Sequence, residues 1–417
     1  MAKLDEALAD DLLAPAVNAN PYPYLAALRE RDPVHWSGRH NAWVVTRYDD
    51  VASGLKDKRL SSDRVQPLLD AMDAERRARV GPVMEMLTGW MVVTDPPTHT
   101  RLRRLAANAF QPQRVNAMEA QITALVDELL DDFIAGGHSD LIAHFAYPLP
   151  ATVIGELIGA PPGDRDRFKG WSNDLAMVAF GAGGEARDDR HERATRGLDE
   201  LFTYFEGLIE RSRREPGEDM ISNLLEGDGS GDRLSNDEMK AMCALMLFAG
   251  HETTTTTIAS AVMTLLQHPD QLELIRAQPE LAGGAVEEAL RYEGAIKVLI
   301  RWVVEDLEVR GREIKVGQRV YLLPSAANRD PEKFPDPDRV DITRSPNAHI
   351  AFGRGVHTCI GAQLARLEMR VALARIVDRL PGLRFANDVE LEWVPSLASR
   401  GLKELRVEHD AAVPSPR

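Results

Sequence analysis

The sequence has few cysteines, a deficit of basic residues, and no apolar run near its N-terminus. Two cysteines in 417 residues exclude a disulfide framework and fit a reducing compartment. The 50 Lys and Arg against 65 Asp and Glu give a net charge of −15, without the basic excess that drives nucleic-acid binding. The first residues form neither a signal peptide nor a membrane anchor. The sequence therefore predicts a cytoplasmic protein with no membrane or nucleic-acid partner.

What the chain does contain is enough apolar material for a large core. Hydrophobic residues make up 44% of it, and no linker, internal repeat or low-complexity stretch divides it. Helical patterns dominate from Val115 to about Leu225, whereas residues 34–36, 42–48 and 296–323 are rich in strand-forming residues. We therefore expect one domain over residues 1–417, mainly α with smaller β-sheets.

A long helix is predicted between the capping box that starts at Ser235 and the proline that follows His268. At 1.5 Å per residue it would be a rod of roughly 45–50 Å. Its middle carries Gly250, Glu252 and the threonine run Thr253–Thr257, although a mid-helix glycine costs about 1 kcal/mol relative to alanine. Residues that disfavour a helix in the middle of a predicted helix indicate a functional site. The alternative, that the threonines donate hydrogen bonds to carbonyls of the same helix, stays open.

Cys359 lies just before a second predicted helix, whose apolar stripe begins at Ile360. The unpaired N–H groups and the macrodipole at a helix N-terminus favour a thiolate. Gly353 and Gly355 allow a tight turn ahead of the cysteine, and Gly361 leaves room for a flat ligand. The loop is thus suited to present a thiolate to a planar ring. Two alternatives are an inert buried thiol and a zinc site shared with His357, for which further ligands are missing.

The segment Phe352–Gly361, read as Phe-Gly-x-Gly-x-His-x-Cys-x-Gly, resembles the haem-binding signature of the bacterial cytochrome P450 family. The resemblance implies the fold of that family, in which a long central helix and the cysteine loop sandwich haem b. It also implies that Cys359 is the iron ligand, with Phe352, His357 and Gly361 beside the haem.

Two further motifs occur in the family's order. His99 and Arg103 in the motif Asp-Pro-Pro-x-His-x-x-x-Arg share one helical face. The resemblance implies that they hold a haem propionate, with Arg301 and His357 as further contacts. Glu288 and Arg291 form a Glu-x-x-Arg pair. The resemblance implies that this pair is a structural core element completed by Arg339.

The resemblance gives the threonine-rich helix a role in catalysis. Gly250 would admit O₂, and Glu252 with Thr253 would deliver protons through bound water. The implied activity is a monooxygenase that inserts one oxygen atom from O₂ into a mid-sized, largely hydrophobic molecule. The alternative is a haem-thiolate peroxygenase or a ligand-binding protein that does not oxygenate, which has little need of this relay.

Electrons are expected from separate proteins, either a ferredoxin with its reductase or a flavodoxin, because the chain ends soon after its last strand. Arg354, Arg366 and Arg370 near the cysteine loop are predicted to steer an acidic partner. We expect a monomer.

The substrate wall is predicted from the segments that the family places around the haem. They are largely apolar, which suits a terpenoid, fatty acyl chain or macrolactone held by one or two hydrogen bonds. A glycine-rich break at 181–184 predicts a mobile segment between two helices, and the resemblance implies that these two helices form a lid over the substrate pocket. The predicted wall residues are Met86, Trp90, Met177, Ala249, Val298 and Leu397.

Overall fold

The computed structural model describes residues 10–179, 189–387 and 390–410, without the side chains of residues 162, 165, 166, 176, 177 and 179. The break at 181–184, predicted to belong to a lid, and the side chain of Met177 lie outside the described residues.

Helices form most of the described chain. The N-terminal half contains α1 (Pro15–Ala19), α2 (Tyr22–Arg31), α3 (Tyr48–Gly54), α4 (Gln66–Asp70), α5 (Ala74–Leu87), α6 (Thr98–Ala106), α7 (Pro112–Ala117), α8 (Glu119–Ala135), α9 (Pro148–Ile158) and α10 (Arg165–Ala179). The C-terminal half contains α11 (Arg190–Arg214), α12 (Met220–Glu226), α13 (Asn236–Gln267), α14 (Pro269–Ala277), α15 (Ala282–Tyr292), α16 (Pro324–Ala327) and α17 (Ala362–Arg379).

The strands are short. They are β1 (Val34–Ser37), β2 (Ala42–Val45), β3 (Leu60–Ser61), β4 (Leu299–Val303), β5 (Leu307–Val309), β6 (Arg312–Ile314), β7 (Arg319–Leu322), β8 (Arg384–Phe385) and β9 (Val407–Glu408). A five-stranded sheet has the order β1-β2-β7-β4-β3, and β5-β6 and β8-β9 form hairpin-like pairs. Within the large sheet β2 and β7 are parallel and the other neighbours are antiparallel. The fold is mainly α with small sheets, as predicted.

The central helix α13 begins and ends where the sequence predicts. Ser235 Oγ accepts from the Glu238 N–H at 3.2 Å and Glu238 Oε2 accepts from the Ser235 N–H at 2.8 Å, so the capping box is complete. The helix has 32 residues, which corresponds to about 48 Å. It packs against α9, α11, α15 and α17. Because of this central position, α13 forms one wall of any cavity that lies between these helices.

The two faces of the large sheet pack into different clusters, because side chains alternate along a strand. Val320 and Leu322 of β7 belong to one apolar cluster, and Tyr321 belongs to another. The largest cluster is helical and includes residues from α5 to α17. None of the helices in the described ranges combines the length and apolarity needed to cross a bilayer.

Candidate active site

A cavity of about 310 Å³ lies between the middle of α13, the start of α17, the cysteine loop and β4. Its walls are mostly apolar side chains, and a group of basic residues gathers at one end. The apolar wall includes Trp90, Met91, Val92, Phe248, Ala249, Ile296, Leu299 and Phe352.

The cysteine loop is a tight turn built on glycines. Gly353 and Gly355 have φ of 70° and 76°, where side chains other than glycine are strained. A Cβ on Gly355 would also lie 2.8 Å from the carbonyl oxygen of Leu55. The Cys359 N–H donates to the Phe352 carbonyl at 2.9 Å, which closes the turn. Cys359 and Phe352 both line the cavity, as the sequence predicts for a ligand-presenting loop.

The pKa of the Cys359 thiol shifts in the direction opposite to the one that the sequence predicts. Cys359 is exposed, but it faces the cavity, and its protein surroundings raise the pKa of the thiol. The Gly361 N–H and the nearby Arg103 and Arg366 act in the opposite direction without reversing the shift. Desolvation prevails because α17 begins only at Ala362, so the predicted gain from a helix N-terminus is small. A metal ion would overcome this cost, since a coordinating thiol is deprotonated.

Five basic residues, Arg64, His99, Arg103, Arg301 and His357, line one end of the cavity. We call this group the cationic end. None of its three arginines forms an ion pair with a described carboxylate. Burial lowers the pKa of all three, that of Arg301 to about 10.

Asp95, a carboxylate near the cationic end, is already engaged. Asp95 accepts hydrogen bonds from the Ser61 hydroxyl and, at 3.0 Å, from the Ser62 N–H. These bonds tie β3 to the segment that leads into α6. Asp95 therefore anchors the backbone. Asp63 and Asp95 act on Arg64 and Arg301 only from a distance, without an ion pair to either arginine.

The two histidines of the cationic end are neutral at pH 7. Their ring centroids are 4.0 Å apart. Burial, aided by neighbouring cations, lowers the pKa of His99 and brings that of His357 to about 3. His99 Nδ1 and His357 Nε2 are buried without a hydrogen-bond partner in the described residues. Such orphaned atoms are costly unless a ligand completes them.

The Glu-x-x-Arg pair is a buried network, but Arg339 takes part differently from the prediction. Glu288 and Arg291 form two hydrogen bonds of 2.7 and 2.8 Å, and both side chains are almost fully buried. The Arg339 side chain is exposed, and it is its backbone carbonyl that accepts from Arg291 at 3.1 Å. Arg344 Nε donates to Glu288 at 3.2 Å instead. The motif predicted the guanidinium of Arg339 as the third member of the network, but the guanidinium of Arg344, five residues later in the chain, takes that place.

On α13, Thr253 lines the cavity and Glu252 does not. The Thr253 hydroxyl donates to the Ala249 carbonyl at 3.0 Å, and Thr254 and Thr257 form similar bonds. The alternative that the threonines donate to carbonyls of their own helix therefore applies to Thr253 as well. The Thr253 oxygen can still accept a hydrogen bond, because its lone pairs are free of this contact. The Glu252 carboxylate lies 3.2 Å from His251 Nε2, and its side chain is 31% exposed.

Gly250 also lines the cavity and has a packing reason to be glycine. A Cβ there would lie 2.9 Å from Ile154 Cγ1, so the residue permits the close approach of α9 to α13.

Two of the five described positions predicted for the substrate wall line the cavity. Trp90 and Ala249 line the cavity. Met86 belongs to α5 and packs into the helical core, so only residues after the helix end reach the cavity. Val298 and Leu397 pack into the cluster on the other face of the sheet. Leu299 and Arg301 line the cavity. Successive side chains along an extended chain point to opposite faces, so the side chain of Val298, one residue before Leu299, points away from the cavity.

Two residues of the cavity wall have no motif that could have identified them. Arg64 lies in an irregular stretch after β3. Glu368 of α17 is 3% exposed, and its Oε2 lacks a partner among the described residues. Burial raises the pKa of Glu368 well above its usual range.

These features fit a flat macrocycle that carries an iron ion and two carboxylates. The thiol of Cys359 and the α13 wall could hold its faces, and the orphaned nitrogens and unpaired arginines could hold its carboxylates. In the described ranges, no group of three or more His, Cys, Asp or Glu could bind a metal ion, so the zinc alternative lacks ligands. Fold and site together define a haem-thiolate protein.

Comparison with known proteins identifies the family. The model of the cytochrome P450 family matches residues 188–381. The chain is 42% identical to cytochrome P450 107B1 of Saccharopolyspora erythraea, over 89% of this chain and 90% of that protein. It is 40% identical to the vitamin D(3) 25-hydroxylase of Pseudonocardia autotrophica, over 95% and 96% of the two chains.

A solved structure agrees. P450BioI, in complex with an acyl carrier protein ligated to hexadec-9Z-enoic acid, superposes with a TM-score of 0.87 at 36% identity, over 95% of this chain and 99% of that one. The chain belongs to the cytochrome P450 family. It is a monooxygenase that carries haem b and uses O₂ with electrons from redox partners.

Proposed function

We propose that this monooxygenase oxidises a mid-sized, largely hydrophobic small molecule with Cys359 as the axial ligand of haem iron. The observation that supports this most strongly is the juxtaposition in one cavity of an accessible thiol and a cationic end whose arginines form no ion pair with a described carboxylate. We further propose that residues 1–417 act as a single domain.

The cavity geometry supports a set of cofactor contacts. Phe352 and Gly361 flank Cys359 on the wall, and His99, Arg103, Arg301 and His357 would hold the two carboxylates. When bound, haem supplies oxygen activation, which a thiolate ligand favours. The protein holds the group and excludes water from it.

Proton delivery is assigned to Thr253 and Glu252. The reaction consumes two protons and two electrons for each oxygen atom that becomes water. Thr253 places a hydroxyl at the cavity wall, and Glu252, next to it in sequence, is partly exposed and can exchange protons with solvent. Gly250 keeps this part of the wall free of side chain.

The substrate class rests on the wall and on the relatives. Apolar side chains dominate around Trp90, Phe248 and Leu299. The Trp90 Nε1 is buried without a hydrogen-bond partner among the described residues, which favours a substrate with a hydrogen-bond acceptor. Relatives named for vitamin D(3) and bound to a hexadecenoic acid carrier agree with a hydrophobic substrate.

The Thr253→Ala variant tests the relay. A compound that shifts the Soret band of the haem would serve as substrate. We expect NAD(P)H consumption to continue while product per electron falls severalfold and peroxide rises. Thr255→Ala is the matched control, because Thr255 lies on the same helix away from the cavity. Equal product yields from Thr253→Ala and the control would remove Thr253 from the mechanism.

We also propose a ferredoxin with its reductase, or a flavodoxin, as the electron donor. The arginines predicted to steer it are each engaged within the protein: Arg354 with the Tyr48 hydroxyl, Arg366 with Glu287 and Arg370 with Glu119. We therefore expect reduction rates to depend only weakly on ionic strength through these residues. The monomeric state and cytoplasmic location stay predictions.

A further inference from the structure

His251 is fully buried on α13, next to Glu252, and both of its ring nitrogens have partners. Nδ1 lies 2.7 Å from the Leu247 carbonyl oxygen, and Nε2 lies 3.2 Å from Glu252 Oε1. A carbonyl oxygen only accepts hydrogen bonds, so Nδ1 must carry a hydrogen and donate it. The tautomer of His251 is therefore fixed by its own helix.

This tautomer constrains the second contact. If His251 were neutral, Nε2 would be an acceptor facing a carboxylate that is also an acceptor, and no hydrogen bond could form. The contact at 3.2 Å requires one more proton, either on Nε2 as an imidazolium or on the Glu252 carboxyl. In both cases the pair holds one proton beyond the Nδ1 hydrogen.

We propose that His251 and Glu252 together store one transferable proton behind the cavity wall and supply it to the Thr253 relay. This inference rests on the proposed function, since it needs Thr253 to receive the proton. The proton passes from the pair through Glu252 and water to the Thr253 hydroxyl, and solvent returns one to the exposed edge of Glu252. No bond other than those to hydrogen changes, and nothing is oxidised or reduced.

The surroundings of the pair support this role. His251 lowers the pKa of Glu252 against the opposing effect of burial, so the contact between the two side chains favours the carboxylate form of Glu252. Tyr147 contacts the imidazole edge-on with ring centroids 5.6 Å apart, and the ammonium of Lys169 on α10 lies 5.0 Å from the Tyr147 ring. Tyr147 and Lys169 are thus titratable groups that neighbouring segments place near the pair. In the described residues, His251 is the charged group that shifts the Glu252 pKa.

The protonation state can be measured without turnover. The ferrous carbon monoxide form of the holoenzyme, labelled with ¹⁵N-histidine, gives imidazole nitrogen signals, and His251→Gln assigns those of His251. We expect both nitrogens of His251 to be protonated in the wild type. In Glu252→Gln we expect Nδ1–H with a bare Nε2. A wild-type His251 with bare Nδ1, or no change in Glu252→Gln, would overturn the proposal.

The functional arm is the pH dependence of product formed per electron. Without the imidazolium, Glu252 in His251→Gln keeps a proton only below its own pKa. Product per electron should therefore fall as pH rises through a range in which the wild type is constant, and recover on acidification. The matched control is His268→Gln, at the C-terminal cap of the same helix. The carbon monoxide spectrum confirms that each variant is folded and loaded.

The outcomes separate this inference from the proposed function. If Thr253→Ala uncouples while His251→Gln and the wild type have parallel pH profiles, the pair has no part in the relay and only this inference fails. If Thr253→Ala is fully coupled, the relay and the pair's role in it both fail.

Discussion

Two buried clusters of arginine differ in whether their charges are paired within the protein. Around Glu288 and Arg291 every charged group is matched: Arg291 donates to Glu288 and to three backbone carbonyls, and Glu288 also accepts from Arg344 and Asn347. At the cationic end, Arg64, Arg103 and Arg301 have no described carboxylate partner, and two histidine nitrogens are orphaned.

The difference separates a structural site from a ligand site. A charge network that is complete within the protein stabilises one arrangement of α15 and the loop that follows α16. A buried set of like charges without counterions lowers the stability of the folded protein until a ligand supplies the counterions. The family carries haem b, and we propose that the two carboxylates of haem are the ligand of the cationic end.

Breaking the complete network should have the largest effect. Glu288→Ala or Arg291→Ala leaves a buried charge without its partner, which costs about 3–5 kcal/mol of unfolding free energy. We expect insoluble or haem-free protein, measured by expression yield and urea unfolding. The exposed pair of Arg370 and Glu119 is the control, and Glu119→Ala should cost less than about 1 kcal/mol. Similar unfolding midpoints for Glu288→Ala and Glu119→Ala would contradict the comparison.

Removing a charge from the cationic end should leave the fold intact and weaken haem retention. Arg301→Ala loses hydrogen bonds to a carboxylate, each of about 1.5–3 kcal/mol, so we expect haem to be lost about 10–100-fold faster. The rate of haem transfer to an acceptor protein measures this. Arg312→Ala on the exposed β6 is the control. Unchanged transfer from Arg301→Ala would mean that Arg301 does not hold the cofactor.

Acidification should act on the histidines of the cationic end. The folded-state pKa of His357 is about 3, below the unfolded value of about 6.5, so the unfolded state binds the proton first. Stability of the haem-free protein should therefore fall as pH drops below about 6.5, by up to about 1.4 kcal/mol per pH unit for each such histidine. His357→Gln should flatten this slope between pH 6 and 4 in urea unfolding. An unchanged slope in the variant would show that His357 is not held neutral.

Glycines, prolines and caps made much of the fold readable from the sequence. The capping box and the proline after His268 predicted both ends of α13, because caps act locally. The turn at Gly353 and Gly355 followed from local backbone conformation in the same way. Helix α5 was not recognised, since the stretch from Ser61 to Thr94 lacks a clean apolar period and tertiary packing determines its shape.

The candidate site was predictable only where a motif fixed it. His99, Arg103, Arg301 and His357 all reach the cationic end, and Cys359 faces the same cavity. Direction was harder to predict. Val298 faces away because a strand alternates, and the Arg344 side chain occupies the place predicted for Arg339 because the chain turns between them. Arg64 and Glu368 could not be found, because only the assembled fold brings them to the cavity.

The most direct test of the central claim is the carbon monoxide spectrum of the reduced protein. If Cys359 is the ligand that completes the cavity, the wild type should show the strongly red-shifted Soret band of a thiolate-ligated haem. Cys359→Ala should lose that band, and Cys243→Ala should keep it, since Cys243 is buried in the helical core. A Cys359→Ala variant that retains the red-shifted band would contradict the account.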